Sequence, residues 1–373
     1  MLGRIMFRKG LISIAILNAI ALPSMAAPQL QMHVFEQAET QQPQVDNQSG
    51  LKMHVFTHGQ QQVAANSKPN KNTKPSQQRA EQPVFAYEFA DTYIRGGYRR
   101  DKLDWSIAGL NGTPNILSEL TWDNIEIATI STGTTLLLDE RWLVNLDFTY
   151  GRIFDGDNQD SDYLGDNRTL EFSRSNNAAE DGDVYDISVS TGYRWQPNTT
   201  NVKTEIRPLI GLSYHAQNFQ MTDGFQTLSA PPQGLPLGPF PGLDSTYDAT
   251  WFGPWLGVDS VFKFDERFQL DLGLEYHYAF FDATANWNLR EDFQHPESFT
   301  HEAEGYGIIA RFGGQYQLHS DLTLGLSLDY QDWTADRNGE DKVFFSNGAE
   351  LTTKLNDVSW RSYSINFGLN FAL

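Results

Sequence analysis

The chain has no cysteine. Disulfides and cysteine-based metal sites are therefore excluded. Bases are scarce: 27 Lys and Arg stand against 47 Asp and Glu, for a formal charge of −20. Without a basic stripe there is nothing to meet nucleic-acid phosphates. Long apolar runs are also missing. Beyond the first 26 residues no stretch reaches the roughly 18–20 residues that a membrane-spanning helix needs.

The apolar run that does exist, Leu11 to Leu22, is short and follows Arg4, Arg8 and Lys9. With Ser24-Met25-Ala26 behind it, it reads as a secretory signal peptide over residues 1–26. Loss of its three bases brings the mature chain to −23. Residues 27–83 are rich in Gln, Asn, Lys and Pro, and read as a disordered periplasmic tail. Within it Leu30-Gln31-Met32-His33-Val34-Phe35 returns as Leu51-Lys52-Met53-His54-Val55-Phe56. The repeat is either a local duplication or a paired motif for strand addition to a partner.

From residue 84 to 373 the hydropathy alternates with period two. In residues 268–280, Phe268, Leu270, Leu272, Leu274, Tyr276, Tyr278 and Phe280 share one face, and Gln269, Asp271, Glu275 and His277 take the other. A sandwich also alternates. Here, however, the second face carries Asp, Glu, Arg and His, which suits a polar lumen and not a dry core. Aromatics make up 13% of the chain and gather toward strand ends, where bilayer interfaces favour them. Short turns near Asp139, Asp265 and Ser320 alternate with long polar connections. The expectation is an all-β fold: a ten-stranded antiparallel transmembrane β-barrel in the outer membrane of a Gram-negative bacterium. Its strands run near 84–97, 114–138, 142–155, 183–195, 205–220, 249–264, 268–287, 303–317, 321–334 and 357–373, with a bulge near Asn124. The last strand, with its alternating aromatics, resembles the signal read by the outer-membrane assembly machinery. A monomer is expected. Ten strands leave a narrow bore, and inward charges such as Asp147, Asp186, Glu275, His277 and Arg311 are expected to fill it as a network.

One segment demands a chemical reading. "FDGDNQDSDYLGDN" places Asp155, Asp157, Asp160, Asp162 and Asp166 within twelve positions. Such crowding costs Coulomb energy unless water, a cation or chemistry offsets it. Three readings stand: a solvated acidic loop, a catalytic carboxylate site, or a calcium loop using Asp155, Asp157, Asp160 and Asp162. The EF-hand pattern itself fails, since its sixth and twelfth positions fall on Asp160 and Asp166. The Pro- and Gly-rich stretch 228–243 cannot be strand or helix and is a candidate contact loop or cover for the mouth. Arg152 and Arg361 are expected to point outward at the extracellular strand ends, where they would meet lipopolysaccharide phosphates.

Short words then suggest a family. Leu103-Asp104-Trp105, Leu120–Asp123 ("LTWD") and Asp160-Ser161-Asp162-Tyr163 resemble the omptins, outer-membrane endopeptidases. "NQDSDYLGDNR" with the later "SRSN" resembles a chlamydial outer-membrane porin family as well. The omptin likeness implies a carboxylate pair, Asp160 and Asp162, facing an Asp-x-His pair from the fourth outer loop, which together activate water. That loop offers Asp292 and His295, spaced one residue too far for an extended strand; His301 is a poorer candidate. The expected function is therefore a surface-exposed barrel of omptin-like architecture with an altered site, serving binding, adhesion or envelope structure. A working endopeptidase using Asp160, Asp162, Asp292 and His295, and a narrow porin, are the alternatives.

Overall fold

The structure, a computed structural model, describes residues 87–198, 202–231 and 234–372, with backbone alone for residues 87–90. The leader over 1–26 and the tail over 27–83 with its repeat lie outside the described residues.

The described chain forms one antiparallel sheet of twelve strands. In order these are β1 (Tyr87–Ile107), β2 (Ser118–Leu138), β3 (Trp142–Gly165), β4 (Thr169–Tyr193), β5 (Lys203–Ser229), β6 (Gly238–Pro239), β7 (Ser245–Lys263), β8 (Phe268–Asn286), β9 (Phe299–His319), β10 (Leu322–Phe344), β11 (Glu350–Thr353) and β12 (Leu355–Ala372). β6 and β11 are short side branches on β5 and β10. The remaining strands close a ring of ten, as expected: β12 pairs β1 from Asp91↔Ala372 upward, and β10 pairs both β9 and β12. Closure leaves no free edge along the wall.

Alternation decides which face meets lipid. On β8, Leu272, Leu274 and Tyr276 are 43%, 53% and 48% exposed, while Glu275 and His277 between and beside them are 2% and 1% exposed. Paired tyrosines, tilted against each other, mark the upper rim of the apolar band, with Tyr150–Tyr185 centroids 5.2 Å apart and Tyr330–Tyr363 5.1 Å. Trp142 packs on Tyr193 near the short-turn end, the periplasmic end in such barrels.

The ten ring strands run 18 to 27 residues, and seven of them are longer than the alternation alone indicates; β2, β8 and β12 lie close to or inside their expected bounds. A bilayer needs about 9–11, so a large part of each strand projects beyond the lipid. β1 was expected to end at 97 and β3 at 155, yet they reach Ile107 and Gly165; β4 starts at Thr169, not 183. The physical reason lies on the outer face. Outside the lipid, Asp157 and Gln159 point to water as Asn158, Asp160 and Asp162 point inward, so both faces are polar while the backbone ladder continues. The acidic segment is thus a strand, turned by Asp166–Arg168, and not a loop. The bulge near Asn124 is present: the register slips between Asp123 and Glu126, and Asn124 has φ 56°. The stretch 228–243 holds the end of β5 and the two-residue β6, which corrects the exclusion of strand there; its Leu235, Phe240 and Leu243 line a recess at the mouth. Its Phe240 ring packs against Gly224, where any Cβ would stand 2.1 Å from the ring.

The bore has two regimes. In the lower half it is wet, with cavities of about 760, 180 and 200 Å³ that share wall residues. Here the expected network exists. Arg311 Nη1 donates to Glu275 Oε1 at 2.6 Å, and His277 Nε2 meets Glu275 Oε2 at 2.9 Å. Arg99 joins Asp101 and Asp186, and His215 Nδ1 meets Asp186 Oδ1 at 2.8 Å. Above this the expectation of a polar lumen fails. Inward positions become Trp105, Trp122, Tyr247, Trp251, Trp333 and Trp360, all under 5% exposed. Small neighbours such as Ala249, Ala279, Ala303 and Ala335 let the opposed rings meet across the bore. Gly307 faces Trp333, and a Cβ there would lie 2.3 Å from the indole. The result is a close-packed aromatic core, which large-to-small change would leave with cavities.

Candidate functional site

Above the aromatic core the barrel opens into a small recess of about 90 Å³ on the long-loop side. β3 supplies Asp160 and Asp162, two residues apart and so on the same inward face. Asp160 lies opposite Leu120 and Ser175, and Asp162 opposite Ser118 and Ser173. Burial pushes the Asp162 carboxyl up to about 6, against the opposing pull of the Ser118 hydroxyl and the Arg290 charge. Burial and then the Asp162 charge hold Asp160 well above the usual carboxylate range. The pair therefore holds its protons to higher pH than two free carboxyls would.

Trp287, Leu289 and Arg290 from the β8–β9 connection line the same recess, and Leu235, Phe240 and Leu243 from the β5–β7 connection cover it. Among the described residues no imidazole lines it. Asp292 and His295 are elsewhere engaged. Arg290 donates through Nε and Nη2 to both oxygens of Asp292 at 2.8 Å, and its guanidinium stacks on Phe293. That ion pair outweighs burial and holds Asp292 below the usual range. His295 uses Nδ1 on Asn286 Oδ1 at 2.8 Å and Nε2 on the Arg290 carbonyl at 3.1 Å. The structure brings Asp160 and Asp162 together; it does not join Asp292 to His295.

An acid–imidazole pair does lie below the recess. His301 and Asp341 are cross-strand partners on β9 and β10, with Nε2 and Oδ1 3.3 Å apart. Tyr247 OH meets His301 Nδ1 at 2.9 Å, and Thr353 donates to Asp341 Oδ2 at 2.7 Å. A void of about 10 Å³ borders both Asp160 and Asp341, room for one water at most. Both partners are 1% exposed, and Trp105 packs edge-on against the imidazole at 4.8 Å. A peptide cannot reach them. The sequence signal was available, since His301 and Asp341 both fall on inward positions, but their pairing needs the strand register.

The calcium reading finds no cage. Asp155 and Asp157 are exposed on the outer side of β3 while Asp160 and Asp162 turn inward. Among the described residues no group of three or more His, Cys, Asp or Glu side chains is placed to hold a metal. Arg152 and Arg361 do point outward, each two residues beyond a rim tyrosine, Tyr150 and Tyr363. Arg152 pairs with Asp181, and Arg361 Nη2 lies 3.7 Å from Asp332 Oδ2.

A closed ten-stranded ring, greasy outside and charged within, with a carboxylate pair at its outer mouth, defines an omptin-like outer-membrane β-barrel. The outer membrane protease OmpT from Escherichia coli superposes with a TM-score of 0.65 at 13% identity, covering 79% of this chain and 99% of that one. At that identity the likeness is one of fold. The translocator domain of the autotransporter NalP from Neisseria meningitidis matches at 10% identity over 75% of this chain and 88% of that one, with a TM-score of 0.30. OprG of Pseudomonas aeruginosa matches at 11% over 76% and 96%, with a TM-score of 0.29. No protein of curated function matches by sequence. Residues 93–373 match the family model described as Protochlamydia outer membrane protein, and the chain belongs to that family. It is a protein of the Gram-negative outer membrane.

Proposed function

We propose that this barrel is a surface-exposed binding or envelope protein whose omptin-like mouth does not cleave. One observation carries the reading: with Asp160 and Asp162 the recess is lined by Trp287, Leu289 and Arg290, where omptin-type water activation would need an acid-oriented imidazole. Faced by Trp287, Leu289 and an Arg290 already paired with Asp292, the carboxylate pair lacks the imidazole of an omptin-type site, which supports holding a ligand over cleaving one. Lipopolysaccharide is the proposed lipid partner, through Arg152 and Arg361 at the rim of the apolar band.

The test is a fluorogenic peptide panel of varied sequence, with trypsin-free folded protein. No turnover is expected. Turnover that disappears in Asp160→Ala would replace this reading with the endopeptidase.

A second reading, a narrow pore, is favoured by the wet lower bore, where Arg95, Arg207 and Arg311 oppose Asp91, Asp259 and Asp271. It requires the aromatic core to move, because Trp251, Trp333 and Trp360 are buried and packed on one another above the wet half.

A further inference from the structure

The recess above the core has a chemical signature of its own. Two acceptor atoms buried at its wall, Asp160 Oδ1 and Asn177 Oδ1, have no donor. Asn177 is 8% exposed and spends its amide protons on Asn158 Oδ1 at 2.8 Å and Ser175 Oγ at 3.2 Å, which leaves the oxygen free to accept. Unmade hydrogen bonds of this kind are costly, so a ligand with O–H donors gains by supplying them.

Charge narrows the ligand further. Arg290 stands at the recess already paired with Asp292, so a cation would meet a guanidinium. An anion would meet the carboxylate pair. A neutral ligand meets neither penalty. The walls add an apolar requirement: Trp287, Phe240 and Leu289 offer flat and aliphatic surface beside the polar floor. Hydroxyl donors along one edge and a C–H face on the other describe a sugar ring. From this we infer that the Asp160–Asn177 recess takes one ring of a neutral saccharide, hydroxyls toward β3 and β4 and ring face against Trp287. The volume of about 90 Å³ fits the end of one ring and no threaded chain. This inference rests on the binding reading of the mouth and names its ligand class.

The probes are glucose, galactose and N-acetylglucosamine, with glucosamine and glucuronate as charged comparators. The protein is the full chain, folded in a detergent without a sugar headgroup. Saturation-transfer NMR is expected to show transfer to at least one neutral sugar, with a millimolar-range dissociation constant, and weaker transfer to both comparators. Asp160→Ala and Trp287→Ala are each expected to weaken that binding at least tenfold. Retained heat-modifiable gel mobility would show that the variants still form the barrel. Absence of transfer to every neutral sugar would overturn the inference, as would stronger transfer to glucosamine or unchanged binding in both variants. Peptide turnover would instead overturn the binding reading itself, so the two failures are distinguishable.

Discussion

The indole Nε1 of Trp360 donates to Asp101 Oδ2 at 3.0 Å. This bond joins the two halves of the bore. Below it Asp101 receives Arg99, at the head of the charged network; above it Trp360 stacks on Trp333 with centroids 5.5 Å apart. Trp251 Nε1 donates to Gln217 Oε1 at 3.2 Å, and Gln217 reaches Asp101 at 3.4 Å. The polar edges of Trp360 and Trp251 are thus tied to groups at the top of the wet region, whereas the indole nitrogens of Trp105 and Trp122 are buried without a partner.

The core should be the main source of the barrel's resistance to unfolding. Trp333→Ala is expected to lower stability by ~3–5 kcal/mol. Gly307→Val, which drives a side chain into the same indole, should also destabilise. Urea unfolding in micelles followed by tryptophan fluorescence measures both. A change under 1 kcal/mol for Trp333→Ala would show that the core is not close-packed.

The carboxylate pair should cost stability at neutral pH. Burial raises the folded Asp162 carboxyl from 3.8 to about 6, so the folded chain holds its proton more tightly than the unfolded chain. The favourable contribution is full below 3.8 and is lost as pH rises through about 6. Asp162→Asn keeps the shape without the ionisation, and is expected to stabilise at pH 7 by ~1 kcal/mol or more. The gain should vanish at pH 4. Equal effects at both pH values would mean that burial does not raise the carboxyl.

The outward arginines offer a separate check. Arg152 and Arg361 are 55% and 53% exposed at their side chains. Their surface ion pairs are worth little to folding, so the double change Arg152→Ala, Arg361→Ala should leave the unfolding midpoint within error. Lipopolysaccharide retained on purification should fall severalfold. Unchanged retention would remove lipopolysaccharide contact from these residues.

Parts of this were legible in the residues alone. The lipid face of β8 follows from strict alternation of large apolar side chains, and Glu275 with His277 falls inward by the same count. The bulge at Asn124 showed as a phase change. The upper barrel did not show, because Asn158, Gln159 and Asp160 are polar whichever way they point. The dry core was hidden for another reason. Trp105, Trp122 and Trp360 look like interface tryptophans until their height in the barrel is known, and height depends on register between strands. The recess was misjudged along the chain because Asp292 and His295 are neighbours in sequence, whereas the groups that face Asp160 are set by the turn that carries Trp287 and Leu289.

The closed aromatic layer is the centre of the account, and planar-bilayer conductance tests it most directly. Wild-type protein should show no sustained current steps, while the double change Trp333→Ala, Trp360→Ala should open a path and conduct. Stable steps in the wild type, of the size found in the double variant, would contradict the seal and turn the barrel into a pore.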